Sequence, residues 1–414
     1  MTASSPDPSS GSAFTRDPAT TPVIVAACRT AIGRADRETG LFRHVRGDEL
    51  AAAVVRAAVE RSGVDPATIE DVIVGTAEPR GELGGNVGRL AALLADLPFT
   101  AAGTTVNRLG GSSLQALAQA CHAIAAGAEN VQVVVGVEHM QHLPPEAGSD
   151  VHPRVLVSTS RGVLTPGLVA EHLARAHGIS RRQQEAYALT SHARAAAAAA
   201  AGLFDDEIVR LLGHDEDGAV VEADADQCLR IDATPDAFAA LPSAFLPEVG
   251  TITAATSAPA GDAAAALVVM SEAEAKRQGL DVLARVVATA VCGVAPAAAG
   301  TGAVAAVRKL LDRLRPRGLD PAAIELVEFD EPFAVHVLHG MAALDLPADR
   351  VNVRGGALAL GHPLGATGAR MLTTLVHALS DNGGWLGLAA TGIGMGQGAA
   401  VLIERACAHR ASVR

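Results

Sequence analysis

The sequence predicts an α/β protein made of two duplicated βαβ halves, with helices packed on mixed sheets and an insertion between the halves. The first observation is an internal repeat: residues 62–72 read SGVDPATIEDV and residues 317–327 read RGLDPAAIELV, 255 residues apart. The second is that the elements around both copies follow in the same order. The third is that the middle segment, 139–250, has no counterpart in the repeat.

The elements of the two halves can be paired along the chain. Each copy of the repeat follows an amphipathic helix and leads into a β-type run. A later Val-Asn segment in each half enters a Gly-rich turn, then an Ala/Leu helix, then a strand. The paired segments are 23–30 with 284–291, 48–61 with 302–314, and 105–108 with 351–354.

The middle segment contains a clear helix signal. Ser180 is predicted to cap its N-terminus, and Gly202 is predicted to stop it after a long Ala run. An insertion between duplicated halves is expected to form a lid or a substrate-binding element. The predicted organisation is a disordered leader at 1–21, a first half at 22–138 and 251–280, the inserted loop domain at 139–250, and a second half at 281–414.

Composition excludes several classes of protein. The chain has 414 residues, a formal net charge of −12 and no basic cluster, which argues against nucleic-acid binding. No apolar run reaches the ~20 residues that a membrane span needs. The five cysteines form no CxxC pair and no metal-finger spacing, so free thiols in a reducing compartment are expected. The start of the chain has no apolar signal-peptide core, and we expect a cytoplasmic protein.

Four segments have a composition typical of a reactive site: TTVNRLGGSSLQAL, EFDEPFA, GGALALGHPLGATGAR and TGIGMGQGAAVLIER, which begin at residues 104, 328, 355 and 391. Together with the duplication and the insertion, they resemble the thiolase family, particularly the degradative 3-ketoacyl-CoA thiolases. The resemblance runs from Pro22 to Glu404, with the motifs in the family's order.

The resemblance implies a layered α/β/α/β/α fold and acyl transfer on CoA thioesters. In such a family, a cysteine at a helix N-terminus attacks the thioester because the helix dipole favours the thiolate. A histidine activates it, a second cysteine moves the α-proton, and an asparagine helps to stabilise the oxyanion. The resemblance also implies a homodimer or homotetramer. No cofactor is expected beyond a CoA or pantetheine thioester as substrate, carried by CoA or by an acyl-carrier protein.

The chain departs from this pattern at the reacting positions. Gly110 stands where the family has its nucleophilic cysteine, and Gly392 stands where it has the second cysteine. Asp330 replaces the asparagine, while His362 is retained. Since glycine offers neither a nucleophile nor a base, the sequence predicts that ordinary ping-pong thiolysis is absent.

His362 is therefore the main catalytic candidate, as an acid or base, with a loop-anchoring histidine as the alternative. An ionised Asp330 would repel an oxyanion, so it is expected to be protonated or to act as a general base, unless it reflects drift after loss of function. Glu331 is a lesser candidate, with a structural hydrogen-bonding role equally open. Ser112 is a possible replacement nucleophile, although helix capping by Ser112 or Ser113 is favoured.

The remaining substrate-binding candidates are Gly111, His139, Met140, Ser257, Phe333 and Gly394. The N–H groups of Gly110 and Gly111 could polarise a carbonyl. His139 and His142 form an HxxH pair with His152 nearby, but a pocket wall or surface is favoured over a metal site. The glycines at 392–398 are not predicted to form a dinucleotide loop, because a strand follows them.

Two hypotheses on function follow from the sequence. In the favoured one, the chain is an enzyme that acts on an acyl thioester by a Cys-independent route: acyl transfer, hydrolysis or decarboxylation, with His362 as acid or base. In the alternative, it is an inactive binding or partner subunit that pairs with a Cys-bearing homologue.

Overall fold

The computed structural model describes residues 17–144 and 151–406. The predicted leader lies mostly outside the described residues. In the first half the elements are β1 (Pro22–Thr30), β2 (Gly33–Arg34), α1 (Gly47–Ser62), β3 (Asp71–Gly75), α2 (Val87–Leu94), β4 (Ala102–Val106), α3 (Ser112–Ala126) and β5 (Val131–His139).

The middle segment is mostly helical and contributes few strands. Its elements are α4 (Pro153–Thr159), α5 (Pro166–His177), α6 (Arg181–Ala200), β6 (Ile208–Val209), β7 (Leu211–His214), β8 (Val220–Ala223) and α7 (Pro235–Ala239). Helix α6 begins after Ser180, which forms a capping box with Gln183, and Gly202 follows its end at a φ of +70°. The predicted helix and both of its signals are confirmed.

The chain then returns to the first sheet and builds the second. The elements are β9 (Gly261–Ser271), α8 (Glu272–Gln278), β10 (Ala284–Gly293), α9 (Gly302–Leu314), β11 (Ile324–Phe329), α10 (Ala334–Leu344), α11 (Ala357–Leu360), α12 (Thr367–Asp381), β12 (Leu386–Ile393) and β13 (Gln397–Arg405). The glycines at 392–398 join two antiparallel strands, as expected from the strand that follows them.

The duplication is visible in the strand order. The first sheet runs β4-β3-β5-β9-β1 and the second β11-β12-β13-β10, and the sheets join where β1 pairs with β10. The counterpart of β4 is not a strand but a single bridge from Val351 to Val327 on β11. Asp65 and Asp320 cap the equivalent short 3₁₀ turns, each accepting the N–H two residues on. The same aspartate-capped 3₁₀ turn therefore occurs at the equivalent place in both halves.

Three hydrophobic clusters define five layers. Helices α3 and α12 lie between the sheets, with Leu117 and Leu375 in one central cluster. Helix α1 packs on the outer face of the first sheet and α9 on the outer face of the second. This is the α/β/α/β/α arrangement predicted from the resemblance. Among the described residues, no helix is both long and apolar enough to cross a membrane.

Helix α9 crosses the second sheet at a pair of glycines, which generates a prediction about stability. A Cβ on Gly398 would fall on the carbonyl oxygen of Gly302, far inside van der Waals contact. Because the obstructing atom belongs to the backbone, α9 must move to relieve the overlap. We expect Gly398→Ala to lower the free energy of unfolding by about 1–3 kcal/mol, measured by denaturant titration.

Gly293→Ala is the matched control on the neighbouring strand, since its Cβ would meet only the Gly396 carbonyl oxygen, at 3.9 Å. Equal stability of the two variants would show that the close approach of α9 to the sheet does not require glycine at position 398.

Candidate active site

A buried carboxylate and an imidazole meet where strands of the second sheet end. Asp330 follows β11 and is 1% exposed. Its Oδ2 accepts a hydrogen bond of 2.7 Å from the hydroxyl of Thr391 on β12. Its Oδ1 lies 3.5 Å from Nδ1 of His362. The structure therefore brings together the two main catalytic candidates predicted from the sequence.

The orientation of the His362 ring is fixed by its loop. The His362 N–H donates to the carbonyl of Pro259 at 2.9 Å, and Nδ1 lies 3.0 Å from Oγ1 of Thr367. That hydroxyl donates to the carbonyl of Pro363, so it accepts a hydrogen from Nδ1. The neutral ring then carries its lone pair on Nε2, which is the nitrogen that can exchange a proton with a substrate.

The Gly110 loop of the first half lies against the end of β12, the strand that carries Thr391. A Cβ on Gly110 would find no atom within 4 Å, and a Cβ on Gly392 would meet only the Ala299 carbonyl oxygen, at 3.9 Å. Neither glycine has a left-handed φ. A Cβ on neighbouring Gly111, by contrast, would overlap the side chain of Ile393. Both expected reacting positions thus have open space and a backbone that any residue can adopt.

Two expectations about this loop need correction. Gly111 is the residue before α3, and no side chain caps that helix. The Ser112 hydroxyl instead accepts the N–H of Arg108 at 2.9 Å and lies 3.1 Å from the Thr76 carbonyl oxygen, so it holds the loop. Ser113 accepts the N–H of Ala369 and links α3 to α12. The capping prediction is therefore wrong, because both hydroxyls bind elsewhere.

The Gly111 N–H is also already used. It donates to the carbonyl of Arg108 at 3.0 Å within the turn before α3. It therefore cannot polarise a substrate carbonyl without breaking that turn, and the expectation for Gly111 is corrected accordingly. Gly394 borders the same loop, since a Cβ there would lie 3.1 Å from Cδ1 of Leu109.

Glu331 has the structural role that the sequence left open. Its carboxylate accepts hydrogen bonds from the Tyr187 hydroxyl at 2.5 Å and the Ser191 hydroxyl at 2.8 Å, both on α6. It also accepts from the side chain of Asn352 and the N–H of Leu358. Burial and the adjacent carboxylate raise the pKa of Tyr187 well above its usual value. With these four donors bound, Glu331 positions the neighbouring Asp330.

The other substrate-binding candidates divide into two groups. Ser257 and Phe333 form a backbone bridge beside Asp330, and Phe333 precedes α10. His139 is fully buried, and its Nε2 lies 2.9 Å from the carbonyl of Val45, before α1. Met140 follows it at the end of β5. The structure therefore does not place His139 with His362.

His336, on the first turn of α10, is not among the residues predicted from the sequence. Burial lowers its pKa to about 4, partly opposed by the charge of Asp330, and His362 contributes a further lowering. Little in the sequence marks His336 as a site residue, because a histidine in the first turn of an apolar helix resembles a residue that only packs in the core.

The cysteines of the described residues are not activated thiols. Burial raises the pKa of Cys28 to about 12 and that of Cys228 to about 11, and it also raises the pKa of Cys292. Cys121 packs in the central cluster. Cys292 on β10 pairs with Gly398, which pairs in turn with Gly392, and its thiol lies 3.5 Å from the Gly302 carbonyl oxygen.

Comparison with known protein families identifies the class of enzyme to which this chain belongs. Residues 22–273 match the thiolase N-terminal domain and residues 280–405 match the thiolase C-terminal domain. The chain belongs to the thiolase family. The expectation of an acyltransferase-type enzyme is thereby confirmed.

Individual relatives are similar over nearly their full length. The chain is 44% identical to a 3-ketoacyl-CoA thiolase of Erwinia tasmaniensis, over 92% of this chain and 99% of that protein. Human mitochondrial 3-ketoacyl-CoA thiolase superposes with a TM-score of 0.85 at 33% identity, covering 93% of this chain and 99% of that one. The same human enzyme in complex with CoA gives a TM-score of 0.82, with 94% and 98% covered.

These relatives contradict the hypothesis of a diverged, Cys-independent function. Proteins 42–44% identical over 92–93% of the chain have the name of ordinary 3-ketoacyl-CoA thiolases. The prediction was wrong because it gave two positions more weight than the similarity of the whole chain. The similarity includes the strands and loops that assemble the site.

The low pKa of His336 predicts an acid-sensitive fold. Between about pH 6.5 and 4 the unfolded chain binds a proton at this residue that the folded chain does not, so stability falls as the pH is lowered. We expect His336→Gln to remove on the order of 1–3 kcal/mol of the loss between pH 7 and 4, measured by denaturant titration at each pH.

His122→Gln, at an exposed position on α3, is the control and should keep the wild-type pH slope. His192 and His339 also have pKa values lowered by burial to about 4, so the slope in His336→Gln should flatten without vanishing. An unchanged slope in His336→Gln would contradict the assignment.

Proposed function

We propose that this chain is a 3-ketoacyl-CoA thiolase. The observation that carries the proposal is the 44% identity to such an enzyme over 92% of this chain. The assembly of Asp330, His362 and the Gly110 loop at one site supports it. The CoA complex of the human relative supports a CoA thioester as substrate, and we propose no further cofactor. Cytoplasmic location stays a prediction.

The reaction cleaves a 3-ketoacyl-CoA with free CoA. The bond between C2 and C3 breaks, the CoA sulfur becomes bonded to C3, and the thiol proton ends on C2. The products are a shortened acyl-CoA and acetyl-CoA, so atoms and electrons balance. Within that ordinary thiolase reaction we assign a proton transfer to Nε2 of His362, because Nδ1 is bound to Thr367. Oδ1 of Asp330 faces the same nitrogen at 3.5 Å without a hydrogen bond. The N-terminus of α3 behind Gly110 favours developing negative charge.

We propose further that Gly110 and Gly392 stand at the family's two cysteine positions. The motif order around them supports this, as does the open space at both. The segment 139–250 is proposed as the loop domain, because its α6 binds Glu331 beside the site.

The first experiment is a thiolysis assay. Purified protein is incubated with CoA and a series of 3-ketoacyl-CoA chain lengths, and acyl-CoA products are followed by mass spectrometry. We expect acetyl-CoA and the shortened acyl-CoA in equal amounts. His362→Ala should reduce kcat by about 100-fold or more, because proton transfer is lost. His122→Ala should retain wild-type activity, since it lies on the exposed side of α3.

A second experiment tests whether Gly110 stands at the position of the family's nucleophilic cysteine. Gly110→Cys should gain an acyl group detectable by intact mass after exposure to substrate, because the helix N-terminus lowers the thiol pKa. Gly110→Ala should fold equally well and gain no mass. Absence of thiolysis by the wild type at every chain length would contradict the proposed function, and absence of acylation in Gly110→Cys would contradict the proposed position.

We also propose that the chain forms a homodimer through the edge of its first sheet. Strand β4 pairs only with β3 among the described strands, so no described strand pairs with its other edge, where the Asn86 side chain donates to the Gly103 carbonyl. Beside it, α2 and the following loop expose apolar side chains: Leu90, Leu93, Leu94 and Phe99. A strand edge without a strand partner next to an apolar patch is typical of an association surface. A Cys-bearing homologue in place of the second copy is the alternative partner.

Light scattering on a sizing column tests this assembly. The purified chain should have about twice the monomer mass of 41.9 kDa. Leu94→Asp should shift it to the monomer, because a charge would be buried in the interface. Leu212→Asp, at an exposed position on β7, is the control. A monomeric wild type, or a dimer unaffected by Leu94→Asp, would contradict the proposed interface.

A further inference from the structure

Two histidines form a cluster on the opposite side of β5 from the His362 loop. The rings of His139 and His142 are stacked, with centroids 3.8 Å apart and planes 11° apart. Nε2 of His139 lies 2.9 Å from the Val45 carbonyl oxygen, and Nε2 of His142 lies 3.1 Å from that of Arg43. A carbonyl can only accept, so each Nε2 carries a hydrogen. For His139 this leaves the lone pair on Nδ1, which accepts the backbone N–H of His142 at 3.2 Å. Nδ1 of His142 faces the Glu82 carboxylate, which accepts only, so this nitrogen carries a hydrogen that must leave before it can bind a metal.

Two carboxylates from distant parts of the chain face these nitrogen atoms. Oε1 of Glu82 lies 2.9 Å from Nδ1 of His142, and one ligand atom from each of Glu82, His139 and His142 lies within 4.8 Å of the others. Asp262 on β9 is fully buried, with Oδ1 3.5 Å from Nδ1 of His139. Its Oδ2 is buried without a hydrogen-bond partner.

We propose that this cluster binds a divalent transition-metal ion of the zinc class. Nδ1 of His139, Nδ1 of His142 and the Glu82 carboxylate are the ligands. Asp262 lies outside this group of three and would have to move toward it to supply a fourth ligand. Imidazole and carboxylate are common zinc ligands, and a hydrogen bond from the far nitrogen of each ring to a carbonyl is the usual support for ligating histidine.

Binding requires a small rearrangement of the cluster. With metal–ligand bonds of about 2.1 Å, the ligand atoms of a tetrahedral site lie about 3.4 Å apart. Nδ1 of His142 and Oε1 of Glu82, now 2.9 Å apart, must therefore separate slightly, whereas any ligand atoms that lie farther apart than this must approach one another. The stacked rings must tilt apart, and the His142 N–H must release Nδ1 of His139, now 3.2 Å away. The backbone carbonyls can stay in place because they hold the opposite nitrogen of each ring.

The site would cross-link three segments of the first half: the end of β5, the turn that carries Glu82, and β9. The loop before α1 is attached through the carbonyls of Arg43 and Val45. Next to His139, Glu138 accepts the N–H of Gly365 in the His362 loop. The ion would therefore stabilise the first half from the face opposite the reaction, and the inference does not depend on the proposed function.

Metal titration of the full chain tests the proposal. Protein freed of metal by chelator is titrated with Zn²⁺ in a calorimeter and unfolded thermally with and without the ion. We expect one ion per chain and a higher Tm with Zn²⁺. Co²⁺ should give the visible absorption of a tetrahedral site and be displaced by Zn²⁺.

Variants locate the site. His142→Ala and Glu82→Gln should each weaken Zn²⁺ binding by at least about tenfold, whereas His122→Ala should bind like the wild type. The Co²⁺ spectrum of the wild type keeps the test valid if a variant fails to fold. No saturable binding, an octahedral Co²⁺ spectrum, or equal affinity in folded His142→Ala would overturn the proposal.

Discussion

The candidate site depends on one buried carboxylate, that of Glu331. A charge removed from water is tolerated only when its oxygens are hydrogen-bonded, and here the donors come from α6 and from residues 352 and 358. The requirement fixes the inserted segment against the second half. It also fixes the short connection after β11, where Asp330 faces His362. Displacing α6, residue 352 or residue 358 would remove a hydrogen-bond donor from the buried Glu331 carboxylate.

The fold was largely predictable because its determinants are local and repeated. The Asp-Pro turns at Asp65 and Asp320, and the capping box at Ser180, each act within three residues, so the sequence shows them directly. Ser112 shows the limit of such reasoning. A serine at a helix start suggests a cap, but the hydroxyl binds the preceding loop once the Thr76 carbonyl is packed beside it.

The site was predictable only where residues lie in recognisable motifs. His362 and Asp330 were found this way, and their proximity follows from the fold. Glu82 could not be associated with His142, because the two are 60 residues apart and meet only when the turn after β3 folds against β5. The error about function had a different cause. The glycine at position 110 changes a single side chain, whereas the similarity to relatives extends over the whole chain and therefore over the entire binding surface.

The two halves are copies, yet their sheets end differently. In the first half no described strand pairs with the outer side of the last strand, β4. In the second half the equivalent residues are covered by α6, whose Arg194 donates to the carbonyl of Val351. A chain with two open, similar edges could add further copies at both ends and grow into a fibre. With one edge covered, the proposed homodimer would use the remaining edge by pairing about a two-fold axis, and assembly through sheet edges would then close at a finite size.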